Sequence, residues 1–170
     1  MSIEAIFEQI PFAKELGIEF ETVENGHAEG RLPLREEHSS NPGHLIAHGG
    51  VTYSLADTVG GAAVVSQSQS VSPTIDMRMD YLAPATGDLR AVADVVRIGS
   101  SVATVDIEVY VAAGASTSET SVAAAPEDAD DHHVASARGV YKTGGQGDGT
   151  PWTEGTDLGT GDADPDTIED

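Results

Sequence analysis

The sequence predicts an α+β fold in which an antiparallel β-sheet packs against one long central helix. Two observations lead to this prediction. Six stretches of the 170-residue chain alternate apolar and polar residues, as half-buried strands do, whereas residues 49–67 repeat their apolar residues with a helical period. Along the chain the order is a helix, two strands, the long helix and then four strands.

The first elements have clear start and stop signals. Ser2 is a suitable cap for a short helix, and Pro11 ends that helix. Residues 18–23 and 27–34 alternate on either side of the turn signal at residues 24–26 (ENG), which predicts a β-hairpin. Residues 35–47 are polar and contain an Asn-Pro-Gly sequence, so we expect a loop there.

The long helix has a face of small and branched apolar residues. Such a face is typical of a helix that packs closely against a sheet. The residues of this face are Val51, Leu55, Thr58, Val59, Ala62 and Val65.

Four further strands are predicted after the helix, at residues 74–83, 89–98, 102–112 and 134–141, with a turn at 84–88 (PATGD).

The domain is expected to span residues 1–143. Within it, residues 112–131 are rich in Ala, Ser and acids and predict a long acidic loop. Residues 144–170 contain eight acids, seven glycines and no basic residue, which predicts a disordered acidic tail.

Charge and composition exclude several classes of function. The chain has 29 Asp and Glu against 8 Lys and Arg, a net charge of −21. With no cluster of basic residues, neither a nucleic acid nor an anionic membrane surface is expected as a partner. There is no cysteine, no secretory leader and no apolar run long enough to cross a membrane. We therefore expect a soluble, cytoplasmic protein.

The acidic excess is spread along the chain rather than confined to its end. Residues 1–111 hold 16 acids and 6 bases, and residues 112–170 hold 13 acids and 2 bases. At about 1 M salt the Debye length falls to roughly 3 Å, so the repulsion among these acids would be screened. The composition is typical of a salt-adapted cytoplasm, and an ordinary acidic protein with an acidic tail is the alternative.

The residues that could take part in catalysis lie in the first part of the long helix. Gly49 and Gly50 leave room for a substrate beside the backbone, and the N–H groups of a first helical turn can hold a developing oxyanion. Asp57 is a carboxylate on a helix that otherwise reads as buried. It is either a functional group or part of a local hydrogen-bond network, and the sequence leaves both open.

Spacing indicates a site shared by two chains. Gly50 and Asp57 are seven residues apart, or about 10.5 Å along a helix axis. One small carbonyl group cannot contact both ends of that span. If both groups act on one carbonyl, they come from two chains, which predicts a two-fold dimer with facing helices.

Two motifs resemble those of the PaaI-type acyl-CoA thioesterases, which belong to the hotdog-fold superfamily. One is His-Gly-Gly at residues 48–50 with Asp57 eight residues after the first glycine, and the other is TIDMRMDYLAPATG at residues 74–87. The similarity extends over about residues 12–141. It implies a hotdog fold, an antiparallel sheet wrapped around one long helix, and hydrolysis of acyl-CoA to free acid and CoA.

The resemblance also implies roles for individual residues. Asp57 would be the general base or the nucleophile, and the Gly49 N–H would polarise the thioester carbonyl. His48 would shape the turn, Asn41 would help to bind the water or the carbonyl, and Thr74 would steady the water or the Asp.

Substrate contacts are expected from Gly50 at the helix mouth and from three arginines, Arg78, Arg97 and Arg138, as candidates for the CoA phosphates. No cofactor or metal is expected. The implied partners are an acyl-CoA substrate and a second copy of the chain, as a homodimer or a dimer of dimers. The alternatives are a non-catalytic acyl-CoA-binding protein, a hotdog hydratase or dehydratase, and a thioesterase whose thioester is carried on a protein.

Overall fold

The computed structural model describes residues 2–112 and 131–144. Apart from Ala112, Asp131 and Gly144, the predicted acidic loop and the predicted tail lie outside the described residues.

One six-stranded antiparallel sheet and one long helix make up most of the described chain. The helices are α1 (Ile3–Glu8), α2 (Pro11–Leu16) and α3 (Gly49–Ser68), with a 3₁₀ turn at Glu36–His38. The strands are β1 (Glu19–Glu24), β2 (His27–Leu32), β3 (Thr74–Tyr81), β4 (Leu89–Ile98), β5 (Val102–Val111) and β6 (His132–Lys142). Their order across the sheet is β1-β2-β4-β5-β6-β3, so β1 and β3 are the two edges.

The N-terminal region differs from the prediction at one point. The Ser2 side chain caps α1, as expected, by accepting a hydrogen bond from the Ala5 N–H at 3.4 Å. Pro11, however, begins a second helix, α2. A proline is well suited to the first position of a helix because the missing N–H would have no partner there. As a stop signal alone, Pro11 did not predict α2.

The predicted hairpin is present and has the expected turn. Asn25 and Gly26 have φ angles of 49° and 85°, the left-handed pair that a two-residue turn between twisted strands requires. Strands β1 and β2 pair directly across this turn.

Helix α3 lies on the inner face of the sheet and forms the centre of the core. Leu55, Val59 and Ala62 are completely buried, which confirms the middle of the predicted apolar face. The sheet approaches the helix closely at Gly30, where an added Cβ would lie 2.9 Å from a methyl group of Val59. None of the helices in the described residues is both long enough and apolar enough to cross a membrane.

Strand β3 is fastened to α3 by side-chain hydrogen bonds at both ends and in the middle. Thr74 at its start bonds to Asp57, and Tyr81 at its end bonds to Gly49. Between them, the Tyr53 hydroxyl donates to the backbone oxygen of Met77 at 3.0 Å. The edge strand therefore runs alongside the helix segment that carries the candidate site residues.

Candidate active site

The first turn of α3 has one backbone N–H engaged and the neighbouring one open. His48 is the N-cap, and its Nδ1 accepts a hydrogen bond from the Gly50 N–H at 2.9 Å. Because Nδ1 accepts, the proton of the neutral ring is on Nε2. No acceptor for the Gly49 N–H exists among residues 2–112 and 131–144. An open donor thus stands at the positive end of a 20-residue helix.

Tyr81 closes over the same turn. Its hydroxyl donates to the backbone oxygen of Gly49 at 2.7 Å, and its ring lies so near that a Cβ on residue 49 would be 3.2 Å from Tyr81 Cζ. Partial burial raises the pKa of the Tyr81 hydroxyl, so it remains a donor. The sequence analysis did not select Tyr81. The alternation of β3, which places it on the same face as Met77, was the available signal.

Asp57 is held by two hydroxyl groups that reach the same carboxylate oxygen. Its Oδ1 accepts from Thr74 Oγ1 at 2.7 Å and lies 3.3 Å from the Tyr141 hydroxyl. The other oxygen, Oδ2, has no hydrogen-bond partner in the described part of the chain. The side chain is half-buried on α3. The structure therefore brings Asp57 and Thr74 together, as the resemblance implied.

Tyr141 is a second residue of the candidate site that was not predicted from the sequence. It is completely buried, and burial, reinforced by the nearby Asp57 charge, raises the pKa of its hydroxyl well above the usual range. No local sequence signal marks it, because its role depends on the pairing of two strands that are distant along the chain.

The two parts of the candidate site are well separated on α3. Gly49 and Asp57 are eight residues apart, or about 12 Å along the helix axis. Within one chain, the open N–H and the free carboxylate oxygen cannot contact one small carbonyl group.

Asn41 lies in the loop before α3 and is engaged locally. Its Oδ1 accepts from the Gly43 N–H at 2.8 Å, and its own N–H donates to Ser39 Oγ at 3.1 Å. No hydrogen bond joins Asn41 to Gly49 or Asp57 in the described chain.

The three candidate arginines differ in their surroundings. Arg138 forms two hydrogen bonds with Asp106, at 2.7 and 2.9 Å, and Arg78 pairs with Asp80 at 3.1 Å. Both lie on the outer face of the sheet, opposite α3, because their strand neighbours face the core. Arg97 is exposed near the end of β4 and has no ion pair with the described residues.

In the described residues, no group of three or more His, Cys, Asp and Glu side chains converges in a way that could hold a metal ion.

Comparison with known proteins identifies the family. Residues 44–117 match the family model described as the thioesterase superfamily. A protein of Halobacterium salinarum named as a candidate esterase, VNG_1336C, is 39% identical over 110 residues, which cover 61% of this chain and 72% of that protein. The chain belongs to the thioesterase superfamily.

Other relatives of this superfamily member are named more specifically. YigI of Salmonella typhimurium, a medium/long-chain acyl-CoA thioesterase, is 30% identical over 117 residues, covering 59% of this chain and 76% of YigI. The solved structure of Escherichia coli PaaI, from the phenylacetic acid degradation operon, matches with a TM-score of 0.64 and 26% identity, over 83% of this chain and 89% of PaaI. The predicted hotdog fold and the resemblance to PaaI-type thioesterases are confirmed.

Proposed function

We propose that this member of the thioesterase superfamily hydrolyses acyl-CoA thioesters to a free acid and CoA. The observation that carries the proposal is the open N–H of Gly49 at the start of α3, beside the Gly50 N–H that His48 occupies. Such a donor suits an oxygen that gains negative charge, as a thioester carbonyl does when it is attacked.

Gly49 would act as the oxyanion donor. The carbonyl oxygen of the thioester accepts its N–H, and the helix dipole adds to the stabilisation as the tetrahedral intermediate forms. His48 keeps the turn in shape by capping Gly50. Gly50 itself then provides room at the mouth of the site rather than a second donor.

Asp57 would act on the other side of the carbonyl through its free Oδ2. In one route the carboxylate takes a proton from a water while the water oxygen bonds to the carbonyl carbon. The C–S bond then breaks, and the CoA sulfur leaves with that proton. In the other route Asp57 attacks directly, the CoA thiolate leaves, and water hydrolyses the mixed anhydride. Both routes are compatible with the two hydroxyls on Oδ1.

Thr74 would hold the Asp57 carboxylate, and Asn41 would contact the water or carbonyl through its amide Nδ2, since its Oδ1 is engaged by Gly43. For the CoA phosphates, Arg97 is better placed than Arg78 or Arg138, because no described carboxylate neutralises it.

A second copy of the chain would complete the site. Gly49 and Asp57 of one chain lie about 12 Å apart along α3, so one of the two groups at each carbonyl must come from a second chain. A two-fold dimer supplies two identical composite sites of this kind. Two features of edge strand β3 support it as the contact. Its unpaired edge is eight residues long, and exposed apolar side chains lie at and beside its ends, namely Ile75, Tyr81 and Leu82 at 57%, 55% and 55% exposure.

The opposite edge is protected against such pairing. Strand β1 carries only acids among its charged residues, Glu19, Glu21 and Glu24, which would repel the same strand of a second copy, whereas β3 carries charges of both signs, Asp76, Arg78 and Asp80. We propose that the catalytic domain spans residues 1–143, that residues 144–170 form an acidic tail outside it, and that the assembly is a homodimer or a dimer of dimers.

Thioester hydrolysis with a series of acyl-CoAs, followed by a thiol-reactive dye, tests the proposal. The assay uses the full chain in about 2 M KCl, where charge repulsion is screened. One relative comes from a Halobacterium, which supports this choice of salt. Asp57→Asn is expected to lower kcat by at least about 10², the lower end for a lost general base.

Asp94→Asn is the matched control. It removes the same charge from the outer face of β4, where the Asp94 side chain is 67% exposed, and is expected to leave turnover unchanged. Turnover by Asp57→Asn close to that of the control would overturn the role proposed for Asp57. A folded wild-type dimer that binds acyl-CoA without turnover would instead indicate a non-catalytic binding protein.

A further inference from the structure

A single cross-strand pair supplies both hydroxyl groups that surround Asp57. Thr74 at the start of β3 is the register partner of Tyr141 near the end of β6. From these neighbouring positions the Thr74 hydroxyl donates to Asp57 Oδ1 at 2.7 Å, and the Tyr141 hydroxyl lies 3.3 Å from the same oxygen.

The space for Tyr141 is provided by two glycines. A Cβ on Gly60 of α3 would lie 2.4 Å from the Tyr141 hydroxyl oxygen, and a Cβ on Gly139 would lie 2.6 Å from the ring atom Cε2. Real Cβ atoms do not approach so closely. The ring is completely buried between helix and sheet, so its hydroxyl has few alternative positions.

The Tyr141 hydroxyl has two acceptors within reach and one proton to donate. The backbone oxygen of Asp57 is 3.2 Å away, and Oδ1 is 3.3 Å away. A bond to the backbone oxygen would merely anchor the helix. A bond to Oδ1 would fix the carboxylate itself.

We propose that Tyr141 is a positioning residue that, together with Thr74, holds Oδ1 of Asp57 and so leaves Oδ2 to face the thioester or the attacking water. This inference rests on the proposed function of Asp57. Burial keeps Tyr141 protonated and therefore a donor throughout the working range. Among the described residues, Tyr53 on the same helix also interacts electrostatically with Asp57, and its hydroxyl donates to the Met77 backbone oxygen at 3.0 Å.

Tyr141→Phe tests the inference because it removes the hydroxyl and keeps the ring. We expect kcat to fall by about 2- to 10-fold, the rate equivalent of one ordinary hydrogen bond, with little change in KM. We also expect this loss of kcat to persist at temperatures well below the Tm of the variant, where the protein is folded. A hydroxyl that only anchors the helix would lower Tm and leave kcat unchanged at those temperatures.

Two adjacent glycines give a second test that keeps the tyrosine. In Gly60→Ala the new methyl group overlaps the Tyr141 hydroxyl and also meets Ile107 at 2.8 Å, so the hydroxyl is displaced. In Gly61→Ala the new methyl group is 3.7 Å from Tyr141 Cε1, an ordinary contact. Both variants make the same exchange on the same helix. Gly60→Ala is expected to lower kcat with little change in KM, as Tyr141→Phe does, and Gly61→Ala to match the wild type.

Asp57→Asn, assayed in the same series, separates this inference from the proposed function. If the folded wild type shows no turnover, the proposed function fails; if Asp57→Asn retains activity, the proposed role of Asp57 fails, and the positioning role of Tyr141 fails with it. If Asp57→Asn is inactive while Gly60→Ala and a folded Tyr141→Phe keep the wild-type kcat, only the role of Tyr141 is overturned. If Tyr141→Phe does not fold, the Gly60→Ala and Gly61→Ala pair decides between the two roles.

Discussion

At its first residue, α3 presents a backbone N–H, and eight residues later it presents a carboxylate. The first group belongs to Gly49, whose surroundings are set by the His48 cap and the Tyr81 ring. The second belongs to Asp57, which two hydroxyl groups hold by one oxygen. Strand β3 contacts both, through residues at its opposite ends. One helix and one strand thus support two different kinds of candidate catalytic group.

This difference determines how each part can be disabled. The Gly49 donor is a backbone N–H, so replacing a neighbouring side chain can move this N–H but cannot remove it. The Asp57 carboxylate is a side chain whose orientation depends on other side chains. Substitutions near Gly49 should therefore have small effects unless they remove the N–H itself, whereas substitutions near Asp57 should have graded effects.

The largest effect in this comparison is expected from Gly49→Pro. Proline lacks the N–H and is well tolerated at the first position of a helix, and the extended backbone of His48, with φ −62° and ψ 138°, suits a residue before proline. We expect kcat to fall by about 10²–10³ relative to Gly49→Ala, the usual cost of one oxyanion donor. Steady-state thioester hydrolysis measures the ratio.

Gly49→Ala is the appropriate reference because both substitutions add a Cβ beside Tyr81, at 3.2 Å from the ring. Only the proline also removes the donor. Equal turnover in the two variants would mean that the carbonyl is polarised by some other group.

A smaller effect is expected from removing one hydroxyl at either end of β3. Thr74→Val deletes the 2.7 Å bond to a charged oxygen, and Tyr81→Phe deletes the 2.7 Å bond to the Gly49 backbone oxygen. Bonds to charged groups are the stronger, so we expect Thr74→Val to lower kcat by about 10-fold. Tyr81→Phe should have less effect, since the Gly49 oxygen and the open Gly49 N–H belong to different peptide units.

The comparison of these two variants in one assay is informative in either direction. A larger loss for Tyr81→Phe would show that the N-terminal turn, and not the carboxylate, is the part whose geometry limits turnover.

The sequence predicts some residues of the site better than others. It predicts Gly49 and Asp57 because both lie in one continuous segment at a fixed spacing. The hairpin is equally local, since Asn25 and Gly26 specify its turn. Strand ends and the long helix agree with the predicted ranges to within a few residues.

The partners of Asp57 are much less visible. Thr74 was implied by family resemblance, and Tyr141 was not found at all, because it approaches Asp57 only through the register of β3 against β6. The start of α2 at Pro11 was missed for a different reason, namely that proline both ends and begins helices. Register and tertiary contact, rather than periodicity, carry this information.

The smallest expected effect concerns stability and comes from two histidines with opposite pKa shifts. His38 supports the turn that carries Gly49, because the His38 backbone oxygen accepts a hydrogen bond from the His48 N–H at 2.8 Å. Its ring is 4% exposed, and burial, followed by the Arg35 charge, lowers its pKa. His27 lies on the outer face of the sheet, where its hydrogen bond with Asp94 at 2.7 Å is the main cause of a raised pKa.

The signs of the two contributions follow from proton linkage. Below about pH 6.5 the unfolded chain protonates His38 more readily than the folded chain does, so acidification removes stability. For His27 the folded chain binds the proton more tightly, so its contribution is present at acid pH and is lost as pH rises through the raised pKa. In the wild type the two contributions partly cancel.

Substituting each histidine separately should therefore reveal opposite slopes. Between about pH 8 and pH 5, His38→Gln is expected to lose less stability than the wild type on acidification, and His27→Gln to lose more, each by a few degrees in Tm. Thermal unfolding at constant salt measures both, and the His27 difference is expected to shrink as salt is raised, because its exposed pair with Asp94 is screened while the burial of His38 is not. If His38→Gln follows the wild-type slope, the buried histidine does not couple pH to the turn that carries Gly49.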